Sequence, residues 1–243
     1  MAHKKQGYRF ENDWPLEVMK KDTEVVYRKA VAIPVNVEIE ADHRVLNYDK
    51  VRQLLISASK ISLLDCSCKR KRGNCDGPVR VCIGLNGNAE RILNSRDDKD
   101  SWHSKLNPQE VSVDEALLVL KMSHEAGYVH MALTMNTDFA RSIAINKDDN
   151  PDAVEYICSC CTCCCSILSG IIRYGLAPHL LTSDTISVTD LSSCTSCSIC
   201  VDRCQFGARE IVNGSLTFNS DLCFGCGLCV STCPKNAITL VDK

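Results

Sequence analysis

The number and grouping of cysteines constrain this chain most: 18 in 243 residues. They fall in three clumps, Cys66 to Cys82, Cys158 to Cys165 and Cys194 to Cys233, while residues 1–65 and 83–157 hold none. In a secreted mini-protein such a count implies disulfides. Here Met1 to Trp14 is polar and charged, without the apolar run of a secretory signal. Disulfides seldom persist in a reducing cytosol, so the expectation is a cytoplasmic protein whose close CxC and CxxC pairs bind metal or clusters. Hydrophobic content of 45% and charged content of 24% are ordinary for a soluble globular chain. No stretch of about 18 apolar residues occurs, so no membrane span is expected. A net charge of −2 lacks the basic excess that nucleic-acid binding calls for.

Residues 1–29 read as an N-terminal extension, 30–184 as a mixed α/β domain carrying the first two cysteine clumps, and 185–243 as a separate C-terminal unit, α+β overall. Residues 30–40 have strand character, with Pro34 favouring an edge or bend. Val51, Leu54, Leu55 and Ala58 lie at the spacing of an amphipathic helix. Ile61 to Leu64 reads as a strand delivering Cys66. Ser112 and Glu115 form a capping-box signature ahead of the stripe Val113, Ala116, Leu117 and Leu120. Gly127 is placed to end that helix, and Tyr128 to Thr134 reads as a strand. Arg96 to Asn107 and Asn146 to Asp152 are polar and read as loops. Gly84 to Asn88 reads as a turn, with no phosphate-binding pattern.

An internal repeat closes the chain. Cys194, Cys197, Cys200 and Cys204 recur 29 residues later as Cys223, Cys226, Cys229 and Cys233. Val201 aligns with Val230, Ala208 with Ala237, and Ile211 with Leu240. Strand-like pieces flank each half: Thr185 to Val188, Arg209 to Val212, Ser215 to Phe218 and Ile238 to Val241. The two runs, CTSCSICVDRC and CFGCGLCVSTCP, resemble the bacterial-type two-cluster ferredoxin, whose pattern is C-x2-C-x2-C-x3-C-P. The resemblance implies a duplicated hairpin and helix unit with two 4Fe–4S clusters. It implies that Cys194, Cys197, Cys200 and Cys233 hold one cluster, and Cys223, Cys226, Cys229 and Cys204 the other. In each run the fourth cysteine is expected to start a helix and reach the other cluster. Gln205 stands where that family has proline, whereas Pro234 is present in the second run. Zinc ribbons use two separated CxxC pairs instead.

Ten cysteines lie upstream of this repeat. Cys66, Cys68, Cys75 and Cys82 suffice for one tetrahedral metal or a third iron–sulfur cluster. Lys69 to Arg72 read as a basic loop, either solvated or placed to raise a cluster's potential and dock an acidic redox partner. Cys158, Cys160, Cys161, Cys163, Cys164 and Cys165 crowd into eight residues. Ile167, Leu168, Ile171 and Ile172 follow as a helical stripe ending at Gly175, with a helix start expected near Thr162. Three readings stay open: one cluster with spare thiols, ligands shared with the first clump, or a non-cubane cluster. Adjacent cysteines are similar to those of heterodisulfide reductase, although Thr162 replaces the glycine of its Cys-Cys-Gly motif. Among scattered histidines, His130 and His179 are candidates to complete a site.

The layout of Cys66-Ser67-Cys68, Cys75-Asp76-Gly77-Pro78, Cys82, the 158–165 run and the ferredoxin repeat also resembles an uncharacterised family of iron–sulfur proteins of anaerobes. That resemblance implies a redox role. The expectation is an electron-transfer protein with a redox partner protein, two 4Fe–4S clusters and one or two further iron–sulfur clusters. The rival is a reductase, an oxidoreductase whose active-site cluster is built from Cys66–Cys82, Cys158–Cys165 or both and is fed by the ferredoxin pair. A redox sensor would need an effector domain, and the sequence shows none.

Overall fold

In the computed structural model, residues 43–133, 154–173, 177 and 181–243 are described. The expected strand at 30–40, the extension at 1–29, the loop at 146–152, Gly175 and His179 lie outside them.

The first body is a seven-stranded sheet of β1 (His43–Leu46), β2 (Ile61–Asp65), β3 (Arg80–Leu85), β4 (Gln109–Glu110), β5 (Val129–Leu133), β6 (Tyr156–Cys160) and β7 (Leu181–Thr182). Its order is β4-β2-β3-β6-β5-β1-β7. Every pairing is antiparallel except the short parallel contact of β1 with β7. Mixed helix and strand content gives an α+β protein.

Helices α1 (Tyr48–Ser57) and α4 (Val113–Glu125) cover one face. Their stripe residues Val51, Leu55, Ala116 and Leu120 are fully buried against Ile83, Leu85 and Ile157. The Ser112–Glu115 capping box is present, with both hydrogen bonds made. It satisfies N–H groups that the first helical turn leaves unpaired. Helix α3 (Asn86–Asn94) buries Ile92 against Leu64 and Leu106. The Gly84–Asn88 segment is therefore a strand end running into a helix, not a free turn. Asn86, at φ 53, accepts from the N–H and hydroxyl of Ser59, which fixes the reversal.

Lys69 to Arg72 form not a loop but the last turn of α2 (Ser67–Arg72), ended by Gly73 at φ 57. The helix after the second clump, α5 (Ser166–Arg173), starts later than expected. Cys164 and Cys165 both donate from their N–H to the Cys161 carbonyl, so Thr162 sits in a turn that precedes the helix.

The C-terminal body runs β8 (Thr185–Thr189), α6 (Ile199–Arg203), β9 (Arg209–Val212), β10 (Ser215–Phe218), α7 (Leu228–Thr232) and β11 (Ile238–Asp242). β9 pairs with β10, and the first strand β8 pairs with the last, β11. Cys204 and Cys233 end α6 and α7 as C-caps rather than starting helices. Ser198 and Gly227, both at positive φ, open these helices, so the third cysteine of each run falls inside the helix.

Candidate metal centre

In the C-terminal body two cavities form. One is lined by Cys194, Cys197, Cys200 and Cys233, the other by Cys204, Cys223, Cys226 and Cys229. Each collects three cysteines of one run and the last cysteine of the other. The repeat extends to the sulfurs' hydrogen bonds: Ala208 N–H donates to Cys204 Sγ and Ala237 N–H to Cys233 Sγ, both at 3.3 Å. Ser196 N–H approaches Cys194 Sγ at 3.4 Å, and Ser187 meets Cys223 Sγ through its N–H and hydroxyl. Such donors suit sulfur that carries negative charge. Gly225, at φ +54, lies so close to the Thr185 carbonyl that a Cβ would clash there. Arg209 is buried and donates to Thr189 and Ser187 beside the cavities, supplying a fixed positive charge. Burial pushes the Cys226, Cys229 and Cys200 thiols up, so a metal bound there would displace their protons. Two four-thiolate cavities lined with sulfur donors fit iron–sulfur clusters.

The ten upstream cysteines do not divide by clump. Cys75, from the turn after α2, meets Cys161, Cys163 and Cys164, and these four sulfurs all lie within 4.8 Å of one another. Cys75 Sγ is 3.9 Å from Cys161 and 3.5 Å from Cys164, and Cys163 is 3.2 Å from Cys161. A tetrahedral ion with bonds of about 2.3 Å spaces its sulfurs about 3.8 Å apart, so these four fit a metal. Asn74, buried, donates to the Cys163 carbonyl at 2.9 Å and holds the two loops together. Lys69 is buried at 4% exposure, with Nζ 2.8 Å from Cys75 Sγ and 3.5 Å from Cys161 Sγ, over the Tyr128 ring. Burial opposes its charge, but Cys161, Cys75 and Tyr128 outweigh that and hold its pKa above the ordinary lysine value. Contacts from Cys163 and Cys164, with Lys69 assisting, draw Cys161 down to about 6.

The other six, Cys66, Cys68, Cys82, Cys158, Cys160 and Cys165, gather on the opposite sheet face from α1 and α4. Cys82 and Cys158 are direct cross-strand partners, and Cys160 follows on the same face of β6. Cys66 caps α2, Cys68 lies in its first turn, and Cys165 immediately precedes α5. Contact with Cys68, and burial, push the Cys66 thiol up to about 12 against an opposing contact with Cys82. Cys82 and Cys160 are likewise raised by neighbouring sulfurs and burial. Cys68, by contrast, is drawn well down by contact with Cys165 and then Cys66, and metal binding would release the protons that the raised thiols hold.

His130 does not join either group. Its β6 partner is Ser159, whose side chain points away from Cys158 and Cys160. Its Nδ1 contacts Ser159 Oγ at 3.0 Å and its ring stacks on His124.

Sequence reasoning missed the residues that join the two bodies. Arg203 donates to the carbonyls of His124 and Glu125 at the end of α4. Gln205 donates to the Gly127 carbonyl at 2.9 Å and accepts from the Thr162 hydroxyl at 2.7 Å. Thr162 stands between Cys161 and Cys163, and Gln205 follows Cys204. The departure from proline at 205 was the available signal: a glutamine there can reach across where proline cannot. Phe206 and Phe224 pack together at 4.8 Å in a core that also holds Cys160 and Cys165, with Cys158, Cys204 and Cys226 against it. Gln205→Ala removes one buried and one half-buried hydrogen bond and takes away the side-chain donor to the Gly127 carbonyl. It should destabilise the chain by about 1–3 kcal/mol, read as a lower urea midpoint with unchanged ferredoxin absorbance.

Residues 193–238 match the 4Fe-4S dicluster domain family. Among curated proteins, the chain is 40% identical over 57 residues to pyruvate synthase subunit PorD of Methanocaldococcus jannaschii, covering 23% of this chain and 66% of the relative. It is 43% identical over 44 residues to an uncharacterized ferredoxin of the same organism, covering 18% of this chain and 26% of the relative. The chain thus spans just under two thirds of the first and about a quarter of the second. It carries a C-terminal ferredoxin domain of the dicluster kind, and iron–sulfur electron transfer is the function that domain brings. No helix among the described residues is long and apolar enough to cross a membrane.

Proposed function

We propose that this protein is a cytoplasmic iron–sulfur electron-transfer protein with metal centres in both bodies. Cys194, Cys197, Cys200 and Cys233 hold one 4Fe–4S cluster of the ferredoxin domain, and Cys223, Cys226, Cys229 and Cys204 the other. The upstream cysteines hold further metal. Bound clusters of this kind supply one-electron redox chemistry. The observation that carries the reading is the shared core: Cys204 and Cys226 border the same apolar cluster, around Phe206 and Phe224, as Cys158, Cys160 and Cys165. Burial there excludes water and keeps the two sets of sulfur ligands close. Cys197 at the other cavity is exposed, which suits exchange with an external partner. A subunit-like role beside a larger oxidoreductase agrees with the similarity to a pyruvate synthase subunit. The burial of Cys160, Cys161, Cys163, Cys164 and Cys165 favours a relay over a substrate-binding reductase centre.

The test is iron and acid-labile sulfide quantification on protein purified without oxygen, with electron paramagnetic resonance of the reduced form. The two ferredoxin clusters account for about eight irons. Content clearly above that, with signals from more than two centres, is expected. About eight irons and no zinc would overturn the upstream centres.

A further inference from the structure

The upstream cysteines are two interleaved sites, and the larger has no counterpart in the ferredoxin pattern. Cys66 Sγ contacts both Cys68 and Cys82. Cys68 contacts Cys165 in turn, Cys165 contacts Cys160, Cys160 contacts Cys158, and Cys158 contacts Cys82. The contacts close into a ring in which each sulfur touches two others. We propose that Cys66, Cys68, Cys82, Cys158, Cys160 and Cys165 form one six-thiolate site for an iron–sulfur cluster of more than four irons, beside a separate four-thiolate site at Cys75, Cys161, Cys163 and Cys164.

Three features support this. First, the scaffold is regular sheet: register sets Cys82 of β3 opposite Cys158 of β6, and Cys160 follows two residues on along the same face of β6. Cys66 is pinned by its N–H to the Val79 carbonyl at 2.8 Å, and Cys165 by its N–H to the Cys161 carbonyl at 2.9 Å. Second, these six sulfurs are not drawn together as the tetrad is: among the described residues, the group whose sulfurs all lie within 4.8 Å of one another is Cys75, Cys161, Cys163 and Cys164. A cube offers four irons to four cysteines; six terminal thiolates exceed it by two. Third, the surroundings suit an anionic cluster. The N–H groups of Ser166 and Leu168 face Cys68 and Cys165. Arg72 is buried between α2 and α5, donating to Ser169 Oγ at 3.1 Å. Leu168, Val129 and Met131 close the apolar side. Interleaving also explains the crowded 158–165 run: alternate residues of β6 feed the ring, and the turn that follows feeds the tetrad.

This inference rests on the reading that the upstream cysteines bind iron, and the experiment separates the two. The full chain, reconstituted anaerobically with ferrous iron and sulfide, is followed by native mass spectrometry, intact and during stepwise chelator treatment. Wild-type protein is expected to lose one upstream unit of six or more irons. Cys158→Ser is expected to lack that unit while keeping the ferredoxin signals, and Cys163→Ser to retain it. If the wild type holds only about eight irons, the reading itself falls. If upstream iron is present but leaves in units of four or fewer, the reading stands and the six-thiolate site is overturned. The wild-type measurement decides this even where a variant does not fold.

Discussion

Cys226→Ala should cost the protein one 4Fe–4S cluster and much of the stability of its ferredoxin domain. Cys226 lines the second cavity, with Cys223, Cys229 and Cys204. The apolar core of this body is small, and in the cluster of Cys200, Leu216, Cys229 and Ile238 half the buried residues are cysteines. A unit that small cannot rest on hydrophobic burial alone, so the free energy of binding metal becomes free energy of folding. The proposed ligand sets cross between the two runs, and losing one cluster therefore also frees Cys204, which ends α6. The expected result is a loss of about four irons per chain, disappearance of one of the two ferredoxin signals in the reduced-state resonance, and a lower unfolding midpoint. Unchanged iron content and unchanged folding would show that Cys226 is not a ligand.

The ferredoxin repeat was legible because its cysteine spacings are local. The strands around it also follow from short apolar runs beside each cysteine group, and the observed β8 to β11 begin where the sequence suggests. The Ser112–Glu115 box was legible for the same reason, since capping is decided within four residues. The arrangement of the upstream cysteines was not. Strands β3 and β6 carry Cys82, Cys158 and Cys160, yet no strand was read there, because the cysteines hide the alternation that marks one. The pairing of Cys82 with Cys158 joins positions far apart in sequence, and no spacing within either clump reveals it. Ligand sharing between the clumps was one of three open readings, and no spacing chose among them; Cys75 lies with Cys161, Cys163 and Cys164. Lys69 read as one charge of a basic run that was either solvated or set beside a cluster, and the sequence did not say which of the four charges would turn inward. The turn of α2 separates it from Lys71 and Arg70 and aims it inward, leaving Arg70 to pair with Asp65 at the surface. Gln205 announced itself only as a missing proline, because its two partners, Thr162 and Gly127, lie in another body of the protein.

That inward lysine carries the second large effect. Lys69→Met keeps the length of the side chain over Tyr128 but removes the cation from Cys75 and Cys161. A positive charge about 4 Å from an anionic centre is worth roughly 4 kcal/mol at the effective dielectric of a protein interior. For a one-electron couple that corresponds to about 170 mV, and solvent and counter-charges reduce it. Removing the charge makes electron addition harder, so the potential of the centre at Cys75, Cys161, Cys163 and Cys164 should fall while the two ferredoxin potentials stay in place. Where the bound metal is not redox-active, the same loss should appear as faster extraction by a chelator. Stripping one member from a buried charged pair also costs about 3–5 kcal/mol, so the urea midpoint should drop. Lys69→Arg, which keeps the charge, should recover most of the potential even if its larger head packs less well. A Lys69→Met protein with unchanged potentials, unchanged extraction rate and unchanged stability would mean that the lysine merely fills space beside the sulfurs.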